Sequence, residues 1–230
     1  MGNTVRAILA QYAKLTEFMG LALGPDYEVA LHDLTDANRS IIAIANSHIS
    51  GRKVGAPLTN VALSILRSRS YEHTDYRLHY SGLSVNGKEL RSSTFFIKHE
   101  GELIGMLCVN FDDSRYREAA ERILGLCHPD AFIAPKREEP SAPPPGNPER
   151  FASSTEALVK DSVRTELDRL GVTPDRLTAE ERLTVIAALE ENGIFLIKGA
   201  VREVAAELCC SQASVYRYLS QMKNVGFEAR

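Results

Sequence analysis

No apolar run in this sequence approaches the roughly 20 residues that a membrane span needs. The opening residues Met1–Leu15 lack the continuous apolar core of a signal peptide. Arg6 stands where a myristoylation motif after Gly2 requires Ser or Thr. A cytoplasmic protein with no membrane partner is therefore expected. Four cysteines, Cys108, Cys127, Cys209 and Cys210, form no C-x-x-C pair, which suits a reducing compartment without structural disulfides. Adjacent Cys209 and Cys210 could close only a strained ring, so they read as small apolar side chains rather than a redox sensor. The six histidines, His32, His48, His73, His79, His99 and His128, fall at no familiar metal spacing. A phosphate-binding glycine loop and a nucleophile elbow are both missing, and Ser92-Ser93 has no base near it in sequence. Neither an enzyme nor a metal or other cofactor is expected. Surplus positive charge is also lacking: 27 Lys and Arg against 30 Asp and Glu leave a net charge of −3. That excludes a diffuse polycation, so any nucleic-acid binding must use a local face, helped by dimerisation.

What is present is most telling at Lys198–Met222, KGAVREVAAELCCSQASVYRYLSQM. This reads as two short helices joined by a tight turn. Val201, Val204, Ala205 and Leu208 share one helical face, and small Ala205 lets a second helix cross closely. Cys209, Cys210 and Ser211 make the turn, with Ser211 suited to cap the next helix. Cys209 stands where many such turns carry Gly. Val215, Tyr218 and Leu219 point back to the first helix. That leaves Ser211, Gln212, Ala213, Tyr216, Arg217 and Ser220 to face the major groove of double-stranded DNA. An ordinary helical hairpin in a core is the competing reading; the joint pattern favours DNA binding.

Residues 135–150, PKREEPSAPPPGNPER, hold six of the ten prolines and no apolar periodicity. They read as an exposed, semi-rigid linker. It divides a domain over residues 1–134 from one over residues 151–230. In the second, Leu158, Val159, Val163, Leu167 and Leu170 mark a helix that serves either the core or a dimer contact. Thr178 and Glu181 form a capping-box pattern, and Asn192-Gly193 stops the helix they open.

The first domain opens with a helix through Leu23. Strands are expected at Tyr27–His32, Ile41–Ala45, Ser92–Lys98 and Leu103–Phe111, the last central because it is apolar almost throughout. Thr59 caps a helix, Val85–Lys88 is a hairpin turn, and Tyr116–Leu126 is a closing helix. The fold class is α+β: an antiparallel sheet with helices over one face, a pocket between them, then an all-α C-terminal domain. Asn46 and His48 enter a loop after an apolar strand, where they meet a ligand or tie down the loop. His32, at a strand end, carries the same ambiguity. Asn110 sits late in an apolar strand and needs a partner, either a ligand or a protein group. Ser92 and Ser93 read as polar strand residues that could touch the ligand. Such groups suit a small polar metabolite, an amino acid or derivative, better than haem.

The strings Leu23–Leu34 (LGPDYEVALHDL), Ile41–Arg52 (IIAIANSHISGR), Gly55–Thr59 (GAPLT) and Leu90–Thr94 (LRSST), with the strand Gly105–Asp112, resemble the YheO-like PAS domain. Ser47 stands where that pattern has Gly. The C-terminal part is similar to the helix-turn-helix that accompanies this domain in bacterial regulators, among them a repressor of D-arginine-use genes. The resemblance implies a transcriptional regulator; with the readings above, the expectation is a ligand-responsive one, a repressor with a PAS-like sensor and a homodimeric or higher assembly. An interaction adaptor, whose C-terminal helices bind protein, is the alternative.

Overall fold

The computed structural model describes residues 2–127 and 148–225, so most of the expected linker lies outside the described residues. Helix α1 (Gly2–Leu23) opens the chain. The sheet then builds from β1 (Tyr27–Asp33), β2 (Ile41–Ala45), β3 (Tyr76–Leu83), β4 (Glu89–His99) and β5 (Glu102–Phe111). Helix α2 (Asn60–Ser68) precedes β3, and α3 (Ser114–Cys127) follows β5. Thr59 caps α2 by accepting from the Ala62 amide at 3.2 Å. The β3–β4 turn closes at Gly87, whose φ of +76° needs no Cβ. Strand order is β2-β1-β5-β4-β3-β6, where β6 is the two-residue strand Glu149–Arg150, with β5 interior as its apolar sequence requires.

One expectation is overturned. The helices do not lie over one face of the sheet; α1 and α2 cover opposite faces. Successive side chains on a strand alternate; β5 is apolar at both parities, while β1 turns Val29 and Leu31 to one side and Glu28, Ala30 and His32 to the other. Val29, Leu31, Leu107 and Ile97 pack on Leu9 of α1. Phe96, Met106 and Cys108, of the other parity, join Val61, Leu63 and Ile65 of α2. Gly20 lets α1 lie against β2, because an added Cβ there would stand 2.3 Å from the Ala45 Cβ.

A second correction concerns residues 149–150. Expected within the linker, they form strand β6 (Glu149–Arg150), parallel to β3 through Gly82↔Glu149 and Leu83↔Arg150. Phe151 follows as a buried residue against Ile49 and Leu90.

The C-terminal region is helical: α4 (Thr155–Leu170), α5 (Ala179–Glu191), α6 (Ala200–Glu207) and α7 (Gln212–Val225). Ser154 caps α4 and Gly171 ends it. The capping box at Thr178 and Glu181 forms as expected. Leu158, Val159, Val163 and Leu167 are buried, so the apolar face of α4 serves the core. That core is continuous with the inner side of the sheet through α2. Asn38 and Lys198 exchange two hydrogen bonds, of 3.2 and 3.1 Å, and Arg67 pairs with Glu190 at 2.7 Å.

Candidate functional site

Two sites emerge. The first is the motif of α6 and α7. Val204, Ala205, Leu208, Val215 and Tyr218 are buried and clamp the two helices together. Cys209 takes φ +50°, the left-handed conformation in which Gly is usual. The Cys210 amide reaches back to the Ala205 carbonyl at 2.9 Å. Ser211 caps α7 by accepting from the Ser214 amide at 3.1 Å. Ser211, Gln212, Ala213, Tyr216, Arg217 and Ser220 are all exposed along one side of α7. Arg217 lies over the Tyr218 ring, 5.3 Å from its centroid, and no acidic residue occurs between Gln212 and Met222. Cys210 is half-buried, and burial raises its thiol pKa, which opposes thiolate chemistry there.

The second site is a polar cluster inside the sensor domain. Sheet register aligns Glu28, Asn110, Ser92 and Tyr80 across four strands on the face toward α2. Glu28 accepts from the Ser50 amide at 3.1 Å, the Ser50 hydroxyl at 2.6 Å and Asn110 Nδ2 at 2.9 Å. Arg52 enters from the loop after β2 and donates to the Pro57 carbonyl. Burial lowers the pKa of its guanidinium, opposed by the carboxylates of Glu149 and Glu28. Glu149 enters from β6, and its Oε1 accepts from the Thr59 hydroxyl at 2.7 Å. Burial raises the pKa of this carboxyl, while Thr59, Arg52, Ser92 and Tyr80 favour its charged form. Tyr80, Thr94 and Cys108 continue as a chain of 2.7 and 3.2 Å contacts. Burial, then Glu149, pushes the Cys108 thiol up to about 12. Four buried atoms in the cluster have no hydrogen-bond partner among the described residues: Arg52 Nε, Ser92 Oγ, Asn110 Oδ1 and Glu149 Oε2.

The ligand candidates read from sequence separate into two groups. His32 and Asn110 lie in the interior, 1% exposed each. His32 Nδ1 meets Ser40 Oγ at 2.9 Å, and burial, then Arg52, holds its pKa well below 6.5. Asn46, His48 and Ser93 lie elsewhere. Asn46 donates to the carbonyls of Gly20, Gly24 and Tyr27 at 3.1, 2.9 and 2.8 Å, so it locks the end of α1 to β1. Exposed His48 meets the Pro25 carbonyl at 3.0 Å. Ser93 is on the α1 side of the sheet and accepts from the His79 amide at 3.2 Å. Sequence reading missed Glu28, Ser50, Arg52, Thr59, Tyr80 and Glu149; of the Ser92-Ser93 pair it weighed, Ser92 joins the cluster. A Glu inside the apolar run of β1 was the available signal, since a buried carboxylate demands partners. Nothing at residues 149–150 announced that they return to the sheet. Among the described residues, no three His, Cys, Asp or Glu side chains gather as a metal site, and no helix is long and apolar enough to cross a membrane.

With this geometry in place, residues 3–128 match the model of the YheO-like PAS domain, and residues 158–220 match an HTH domain. The protein YheO of Escherichia coli strain K12 is 29% identical over 97% of this chain and 88% of its own length. A Haemophilus influenzae protein is 29% identical over 95% of this chain and 92% of its own. The transcriptional regulator DauR of Pseudomonas aeruginosa is 26% identical over 95% and 96%. The chain therefore belongs to the YheO-like PAS domain family, its PAS-like sheet joined to a C-terminal helix-turn-helix.

Proposed function

We propose that this protein is a ligand-responsive transcriptional repressor that binds operator DNA through α7. The observation that carries the reading is the exposed face Ser211, Gln212, Ala213, Tyr216, Arg217 and Ser220 on a capped helix braced by α6. The helix-turn-helix match and the regulator DauR among its relatives support it. Sensing is assigned to the PAS-like domain, where the polar cluster with four unpartnered atoms supports recognition of a small polar effector. The functional unit is a homodimer. Phe18 and Leu21 of α1 are 64% and 79% exposed, and α3 buries no residue while Leu126 is 84% exposed. Apolar surface of that kind is what a second copy would cover. Two recognition helices then address half-sites about 34 Å apart, one DNA turn.

Selection of duplexes from a random pool by the full chain tests this reading. Enrichment of a motif by the wild type, and its loss in a folded Arg217→Ala variant, is the expected result. If neither protein enriches any sequence, and α7 instead retains a protein partner, the adaptor reading replaces it.

A further inference from the structure

The carboxylate of Glu149 occupies the interior of a domain to which it is joined only across residues 128–147. It is 2% exposed; Thr59 alone meets it at hydrogen-bond distance, and Oε2 has no partner that close among the described residues, although the Ser92 and Tyr80 hydroxyls stand near enough to favour its charged form. Around it stand groups that suit an anion: the Thr59, Ser92 and Tyr80 hydroxyls and the Arg52 guanidinium. Ser92 Oγ and Arg52 Nε, both almost wholly buried, have no partner at hydrogen-bond distance among the described residues. A buried carboxylate oxygen without a close hydrogen-bond partner is costly. The same backbone is lightly attached. β6 pairs with β3 at two positions, at the sheet edge, with the Asn60 side chain bonding the Pro148 carbonyl at 3.0 Å and the Arg150 amide at 2.7 Å. Phe151 adds an apolar anchor over Gly82. Four residues later α4 begins, the first helix of the DNA-binding region.

We propose that this interior is a binding site for a small molecule bearing a carboxylate, that Glu149 fills it as an internal stand-in, and that the effector enters by displacing Glu149 together with β6. Thr59, Ser92, Tyr80 and Arg52 receive the incoming carboxylate. Asn110 Oδ1, in the same row of the sheet, is free to accept from a donor elsewhere on the effector. Leaving the site, Glu149 draws the Pro148–Ala152 strap off β3 and frees the start of α4. Binding in the sensor is thereby coupled to the placement of the recognition helix. A tethered group competes at an effective concentration in the millimolar range, so an untethered carboxylate binds best when Glu149 is gone.

The proposal rests on the ligand-responsive reading above, and its test keeps the two apart. Full-length wild type and Glu149→Ala are titrated with sodium acetate, the CH2–COO⁻ fragment that the substitution removes. Sodium chloride at matched ionic strength is the control, and thermal melting is the readout. Binding to the selected duplex is measured on the same samples. Acetate should saturably raise the melting temperature of Glu149→Ala, with wild type needing about tenfold more. Adding Ser92→Ala to the variant should weaken the response several-fold. A folded Glu149→Ala with no acetate-specific shift, or a wild type responding at the same concentrations, overturns the proposal. Glu149→Gln, which keeps the shape of the side chain, supplies a second measurement. Acetate should speed exchange of its Arg150 and Phe151 amides relative to chloride, and equal exchange in both salts also overturns displacement of the strap. If no duplex binds any of these proteins, the regulator reading fails while the acetate and exchange results still decide the pocket.

Discussion

Cys209 sets the sharpness of the helix-turn-helix turn by adopting φ +50°. The left-handed region costs a non-glycine residue about 1–2 kcal/mol, whereas glycine carries an extra entropy cost of about 0.5–1 kcal/mol. Cys209 is exposed, so its side chain contributes little packing in return. Cys209→Gly is therefore expected to stabilise the protein by up to about 1 kcal/mol, read as a rise of roughly 2–4 °C in melting temperature. Cys209→Val should lower it, because a branched side chain is poorly tolerated at positive φ. His32 supplies a pH signature. Its folded pKa lies well below 6.5 because burial disfavours the imidazolium. Below pH 6.5 the unfolded chain takes up a proton that the folded chain refuses, so stability present above that pH is lost as pH falls, by at most about 1.4 kcal/mol per unit. Glu149, whose pKa is raised above 4.5, works in the opposite direction at lower pH. The informative quantity is thus the difference between wild type and His32→Gln: melting curves between pH 7 and pH 5 should fall more steeply for wild type.

At the scale of elements, the docking of β6 depends on the absence of a side chain at Gly82. A Cβ there would lie 2.7 Å from the Phe151 ring and 2.8 Å from Ser92 Oγ. Gly82→Ala is expected to cost about 1–3 kcal/mol through overpacking. It should also speed amide exchange at Phe151, whose N–H donates to the Leu83 carbonyl at 3.3 Å. A variant with unchanged exchange would show that the strap is held otherwise. The elements themselves were largely legible in the sequence. Local chemistry writes a Thr178–Glu181 box, a Thr59 cap and a Gly87 turn directly into the chain, and all three form. The interior cluster was not legible, because which of Ser92 and Ser93 faces inward depends on register, and a slip of one residue exchanges the faces. Asn46 looked like a ligand group because loops after strands often carry function; its three backbone partners come from α1 and the start of β1, which no local pattern reveals. β6 pairs with β3 across a long stretch of sequence and is two residues long, too short to carry a periodicity.

Across the whole molecule, the apolar core runs without a break from the inner side of the sheet through α2 into the C-terminal helices. Glu149 and Phe151, beyond the proline-rich segment, fill the sensor domain. The full chain is therefore expected to unfold in one cooperative calorimetric transition, and a fragment of residues 1–134 to melt below it. Two well-separated transitions in the full chain would instead make the halves independent. The most direct test of the central claim is the salt dependence of duplex binding by the full-length protein, followed by fluorescence anisotropy on the selected operator. Each phosphate contact contributes a slope near −0.9 in log K against log salt, so two contacts weaken binding about tenfold between about 50 and 200 mM salt. Saturable binding with at least that loss, and an affinity lowered by roughly 1–3 kcal/mol in a folded Arg217→Ala variant, is the predicted result. Equal affinity of wild type and Arg217→Ala at every salt concentration, or no saturable binding at the lowest, would contradict the assignment of α7 as the DNA-reading helix.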